Sequence, residues 1–310
     1  MRFDPRLTPA DRTHVAELLA QPDFAFVTEN ASVAPLPGGA SNRNFKVDDA
    51  GGPWVLRIAE LGVDRFGIDR ARGLAGHRAA AAAGLAPELA AVTLPEGHCA
   101  YRFVDGAVLD AERVRADGVI EALGQALYRM HDAGPVDGRW SAFDDIRAYL
   151  ALAEREGLRL PQGMQALADS AAEVGAVFAA SAIPDRLCHN DLQLQNVIVD
   201  GEQLRIIDWE YAGMGNPYFD LGGVCVNGEL DSDEQDRLLL AYFGEVRPVD
   251  QARVALMAFV SAVREAAWAI IAKPVLTIDW DYDAWTDEYV DRAHRLRSSS
   301  RFAERLRLAT

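Results

Sequence analysis

The stretch Leu187-Cys-His-Asn-Asp-Leu-Gln-Leu-Gln-Asn-Val-Ile-Val199, followed by Leu204-Arg-Ile-Ile-Asp-Trp-Glu210, constrains this chain more than any other. Two short apolar runs flank a polar loop that carries His189, Asp191 and Asn196, and the second run ends in Asp208 and Glu210. An Asp followed five residues on by an Asn, and after a strand-sized interval by another Asp, supplies a proton acceptor and two metal-facing oxygens. Phosphoryl transfer from a nucleotide needs these parts, because catalysis there is mostly positioning plus neutralisation of charge by Mg²⁺. A polar hairpin loop is the plain alternative, but four specific residues at two spacings rarely coincide.

With 310 residues the chain is long enough for two lobes, and 50% apolar with 25% charged residues is the balance of an ordinary soluble protein. Lys+Arg 31 against Asp+Glu 47 gives a net charge of −16, which opposes nucleic acid or an anionic membrane as partner. Such a field favours a cationic substrate, although excess acid also serves solubility alone. Cys99, Cys188 and Cys225 are far apart and show no metal-ligand spacing, which fits a reducing, cytoplasmic setting. No apolar run follows the first residues and no window approaches the length of a membrane span, so membrane insertion is not expected. Oligomeric state is not legible.

Thr8-Pro9 opens a short capped helix. Alternation then predicts three strands, Ser32 to Leu36, Asn44 to Val47 and Trp54 to Ile58, the first two joined by a glycine-rich turn through Ser41 and Asn42 that can lay N–H groups against phosphates. Arg57 sits between apolar neighbours in the third strand, where a cation reaches nucleotide phosphates if the cleft lies beside it. An alanine-rich helix from Ile68 to Ala83 and two strands, Leu89 to Thr93 and Cys99 to Val104, complete the first part, and Asp105-Gly106 reads as a hinge. Helical spacing dominates beyond it, in Val119–His131, Phe143–Ala153, Met164–Ala179, Glu234–Phe243, Gln251–Ala272 and Trp285–Leu296, with a basic helix at the end. The expected class is α+β: residues 1–105 as a nucleotide-binding lobe with a five-stranded antiparallel sheet and one helix, and residues 106–310 as a mainly helical catalytic and acceptor-binding lobe.

The order His-x-Asp-Leu-x-x-x-Asn and then Ile-Asp resembles the catalytic and metal loops of the protein-kinase-like superfamily. With Gly38-Gly-Ala-Ser-Asn-Arg-Asn-Phe, Val55-Leu-Arg-Ile, Leu127-Tyr-Arg-Met-His131 and Asp208-Trp-Glu-Tyr-Ala-Gly, the chain is similar to the choline/ethanolamine kinase family, within the aminoglycoside-phosphotransferase-like branch. The resemblance implies a two-lobed kinase fold using ATP and Mg²⁺. It implies Asp191 as the group that accepts the hydroxyl proton, His189 as the residue that orients the loop, and Asn196, Asp208 and Glu210 as metal contacts. Ser41, Asn42 and Arg57 would steady the triphosphate, and the backbone of Arg102, Phe103 and Val104 would meet the adenine. The acceptor is expected to be a small cationic alcohol such as choline or ethanolamine, held by Tyr211, Glu265, Trp268, Trp280 and Trp285. Thiamine or an aminoglycoside as acceptor, and a nucleotide-binding pseudokinase, are the competing readings. The family carries a Glu at the place of Gly73 to pair with the strand cation, and Asp69, four residues earlier on the same helical face, is the candidate substitute.

Overall fold

Strand-forming alternation and short turns build the first sheet, and the computed structural model shows how the rest of the chain is laid against it. It describes all residues except 38–41, 60–62, 202, 277 and 279, and at 63 and 64 the backbone alone. The chain runs β1 (Arg2–Phe3), α1 (Pro9–Leu19), β2 (Ser32–Leu36), β3 (Asn42–Asp49), β4 (Gly52–Ala59), α2 (Arg70–Ala82), β5 (Leu89–Val92) and β6 (Cys99–Arg102). The order across the sheet is β1-β2-β3-β4-β6-β5. It therefore has six strands instead of five, and it is not wholly antiparallel, because β1 pairs with β2 in parallel. A two-residue strand at the edge has no alternation to announce it.

Helices then take over, with short strands around the stretch through Asp191: β7 (Ala107–Val108), α3 (Val119–Asp132), α4 (Ala142–Arg155), α5 (Met164–Ala180), β8 (Arg186–Cys188), β9 (Val197–Asp200), β10 (Gln203–Ile206), β11 (Gly213–Gly215), α6 (Pro217–Asn227), α7 (Ser232–Phe243), α8 (Pro248–Ala272), α9 (Tyr282–Arg297) and α10 (Phe302–Leu308). The helix starts follow from capping. Thr8, Asp69, Ser141, Asn216, Asp231 and Asp281 each accept a backbone N–H in the first turn of the helix that follows.

Helix α8 forms the axis of the helical part, with α4, α5, α6, α7, α9 and α10 packed around it. The expectation that no segment has the length of a membrane span does not hold for α8, which is long and apolar enough to cross one. In this fold 94% of its most apolar window is buried inside the protein, so neighbouring helices cover the surface that lipid would. Two charges interrupt that surface, Arg264 and Glu265, both buried. They point to the site.

Candidate active site

Strand β9 pairs antiparallel with β10, and β8 with β11, so the loop after β8 and the segment after β10 emerge side by side. Buried Asp220, on α6, fixes the loop backbone: its Oδ2 accepts the His189 N–H and its Oδ1 the Asn190 N–H, each at 2.8 Å. His131 on α3 holds the same carboxylate, with Nε2 3.1 Å from Oδ2, and its Nδ1 meets the Tyr242 hydroxyl at 2.6 Å. Asn190 is held at φ +64° and Asp208 at φ +67°, a left-handed conformation that non-glycine residues rarely adopt and that clusters at functional sites.

His189 is fully buried and donates from Nε2 to the Ile207 carbonyl at 2.9 Å, tying the two loops together. Burial holds its pKa below the usual imidazole value, so the ring is neutral at pH 7 and acts as a brace. Asp191 follows and lines a cavity of about 280 Å³. Its carboxyl is pushed well up by burial; the nearby Arg264 cation works against that shift, while Glu265, Asp208 and Glu210 add to it. Asn196 donates from Nδ2 to the Asp191 carbonyl at 3.1 Å, which leaves its Oδ1 as the oxygen available to a ligand.

Of the residues singled out in the sequence, Arg57, Asp191, Asn196, Asp208, Tyr211, Glu265, Trp268, Trp280 and Trp285 all line this one cavity. Trp280 and Trp285 meet edge to face at 5.6 Å between ring centres, whereas Trp268 lies between Phe66 and Tyr282 at 6.0 and 6.1 Å and is 8% exposed. Trp268 therefore serves as cavity wall and core at once.

Glu210 is placed differently. It lines a second, small cavity with Arg57, Arg70 and Gly73, and its Oε1 takes both Arg57 Nη2 at 3.0 Å and the side-chain amide of Asn42. Arg57 Nη1 in turn reaches Asp208 Oδ1 at 2.6 Å. Burial works against the Arg57 cation, but Glu210 and Asp208 outweigh it and its pKa stands above the ordinary guanidinium value. Glu210 thus fills the place of the helix glutamate that the family pattern puts at 73. Asp69 does not substitute, because its carboxylate accepts the Arg72 N–H at 3.0 Å as the cap of α2.

The expected nucleotide contacts divide in the same way. Ser41 lies outside the described residues. The Arg102 side chain stacks on Trp54 at 3.7 Å and donates to the Gly51 carbonyl, while its N–H goes to Glu88 and that of Phe103 to Pro53. Among the described residues the N–H of Val104 has no acceptor, which makes it the free edge of this segment.

The chemistry of the donor set fits a hard cation: Asn196 and Asp208 present oxygen on one cavity, the ligand type that Mg²⁺ takes. Sequence reasoning missed Arg264, Asp220, Asn190 and Asp145. Arg264 carried a signal, a lone Arg-Glu pair inside a long apolar helix, and such a pair is buried only when partnered.

A family model described as the phosphotransferase enzyme family matches residues 32–256. The chain belongs to that family. Protein LicA of Haemophilus influenzae is 28% identical to this chain over 227 residues, 71% of the chain and 65% of LicA. Ethanolamine kinase 2 of Mus musculus is 26% identical over 243 residues, 69% of the chain and 62% of that protein. The chain thus spans less than two thirds of the length of either relative. A crystal structure of a choline/ethanolamine kinase family protein from Mesorhizobium loti superposes with a TM-score of 0.81 at 28% identity, covering 96% of this chain and 98% of that one.

Proposed function

We propose that this phosphotransferase moves the γ-phosphoryl group of ATP to the hydroxyl of a small cationic amino alcohol, ethanolamine or choline first. One observation carries the reading: Asp191, the oxygen donors Asn196 and Asp208, and a wall of Trp268, Trp280, Trp285 and Glu265 share one cavity. Aromatic faces with a carboxylate suit an ammonium, each cation–π contact contributing about 0.5–2 kcal/mol. The likeness to an ethanolamine kinase and to a choline/ethanolamine kinase family structure points the same way.

In this reading Asp191 accepts the hydroxyl proton through its position, since a loose transition state asks for little deprotonation early. Asn196 and Asp208 would hold Mg²⁺, which would neutralise charge on the phosphates. Arg57, facing the same cavity, meets the phosphate side, and the Val104 N–H the adenine.

The test is ATP consumption by the purified protein with choline, ethanolamine, thiamine and kanamycin as acceptors. Turnover with choline or ethanolamine is expected. Turnover with kanamycin or thiamine alone would reject the amino-alcohol reading, and nucleotide binding with no turnover on any acceptor would favour a pseudokinase.

A further inference from the structure

Arg264 and Glu265 are the charged residues of α8 between Val254 and Ala272, and Arg264 is 1% exposed. Its Nη1 is divided between two acids, 2.9 Å from Asp191 Oδ1 and 2.8 Å from Glu265 Oε1. On the other side Nε stands 3.5 Å from Asp145 Oδ2, and Cζ lies 4.1 Å over the Tyr211 ring. Asp145 is itself fixed by the Trp140 indole at 3.2 Å and the Tyr149 hydroxyl at 2.9 Å. The guanidinium thus donates through Nη1 to two acids, ion-pairs with Asp145 and stacks on Tyr211, and these contacts together hold its place.

Resting on the reading of this cavity as the acceptor site, we propose that Arg264 is a positioning residue that links the two ends of the acceptor. Through one nitrogen it holds Asp191, beside the acceptor hydroxyl, in register with Glu265, beside the acceptor's ammonium group. The same contact makes Arg264 an internal competitor for that ammonium. It occupies the Tyr211 face and part of the Glu265 charge, so the acceptor's cation is driven to the Trp280–Trp285 side of the cavity. Removing the guanidinium therefore has two effects of opposite sign. The proton acceptor loses its fixed position, while Glu265 is released to the ammonium.

The experiment compares the unaltered protein with Arg264→Gln and Arg264→Lys, using ethanolamine and choline as acceptors. It measures kcat, acceptor Kd from tryptophan fluorescence, and thermal stability. Arg264→Gln is expected to lower kcat by about 100-fold or more while binding the acceptor as tightly or tighter, with part of the rate restored by added guanidinium. Arg264→Lys keeps the charge but not the fork, and is expected to lose about tenfold in kcat at unchanged acceptor Kd. It decides the matter if the Gln variant does not fold. A kcat within about threefold of the unaltered protein in whichever variant folds overturns the inference. So does acceptor binding weakened in step with stability and without guanidinium rescue, the pattern of a purely structural residue. Absence of acceptor-dependent turnover in the unaltered protein overturns the acceptor reading and this inference with it.

Discussion

A β-carbon on Gly73 would stand 3.0 Å from the carbonyl oxygen of Glu210, and 2.7 Å from that of Trp209. One turn on, a β-carbon on Gly76 would meet the Ala212 methyl at 2.6 Å. The two glycines give α2 a flat face, and the segment that carries Asp208 and Glu210 lies directly on it. A glutamate at 73 is sterically excluded here, and the carboxylate that pairs with Arg57 comes from Glu210 across the same contact.

Gly73→Ala tests that contact. Alanine favours a helix by about 1 kcal/mol over glycine, but overpacking against backbone costs about 1–3 kcal/mol. The net expectation is a loss of about 1 kcal/mol in urea unfolding and a lowered kcat, because Asp208 and Glu210 are displaced together. A variant more stable than the parent would show that the backbone gives way freely at this point.

Asp191→Asn keeps the size and the Asn196 contact to the backbone carbonyl but removes the carboxylate proposed to accept the hydroxyl proton. A positioned general base contributes about 10²–10⁴-fold, so kcat is expected to fall by that factor with nucleotide Kd nearly unchanged. Asp208→Asn is expected to lose activity as well, and in addition to require more Mg²⁺ for half-maximal nucleotide binding. Near-normal turnover in either variant would remove its residue from the catalytic apparatus.

How much of this was legible beforehand depends on whether the signal was local. The spacing of Ile120, Leu123, Leu127 and Met130 placed α3 within a residue, and the loop around Asp191 was plain from its residue types. Helix α6 escaped because its sequence holds Pro217, Gly222 and Gly223, which read as breakers. In the fold Pro217 sits in the first turn, where its missing N–H costs nothing, and Gly222 lets α8 approach so that a β-carbon would be 2.5 Å from the Ala258 nitrogen. Asp220 was hidden with it. The divided roles of Asp208 and Glu210 are set by the Arg57 they face, a residue 151 positions before Asp208, and no local pattern reports such a pairing.

His77 predicts a pH dependence of stability. The ring lies under α2 between Tyr101 and Trp209, with Nε2 2.7 Å from the Pro87 carbonyl, and burial lowers its pKa to about 4. Since the folded pKa lies below the unfolded 6.5, the unfolded chain binds more protons between those values. The stabilisation is complete above pH 6.5 and is lost as pH falls toward 4. Between pH 7 and pH 5 the loss from this residue is about 2 kcal/mol. His77→Gln is expected to flatten the urea midpoint over that range relative to the parent; parallel curves for the two proteins would locate the acid sensitivity elsewhere.

The tryptophans separate binding from packing. Trp285 lies at the cavity edge beside Trp280 and at 5.0 Å from Tyr289, partly exposed, whereas Trp268 is buried against Phe66 and Tyr282. Loss of one cation–π contact of about 0.5–2 kcal/mol predicts that Trp285→Ala raises acceptor KM by about 2- to 30-fold, leaving nucleotide binding nearly unchanged and lowering the melting temperature less than Trp268→Ala does, since Trp285 is only partly buried against the core. Trp268→Ala removes the same kind of face but also opens the core, which costs about 3–5 kcal/mol in stability. Acceptor KM and melting temperature are therefore expected to change together in Trp268→Ala, and KM to change with the smaller loss of melting temperature in Trp285→Ala. If Trp285→Ala instead leaves KM untouched, the ammonium sits away from the Trp280–Trp285 pair, against the other aromatic and acidic residues that line the cavity, which include Tyr101, Tyr211, Trp268 and Glu265.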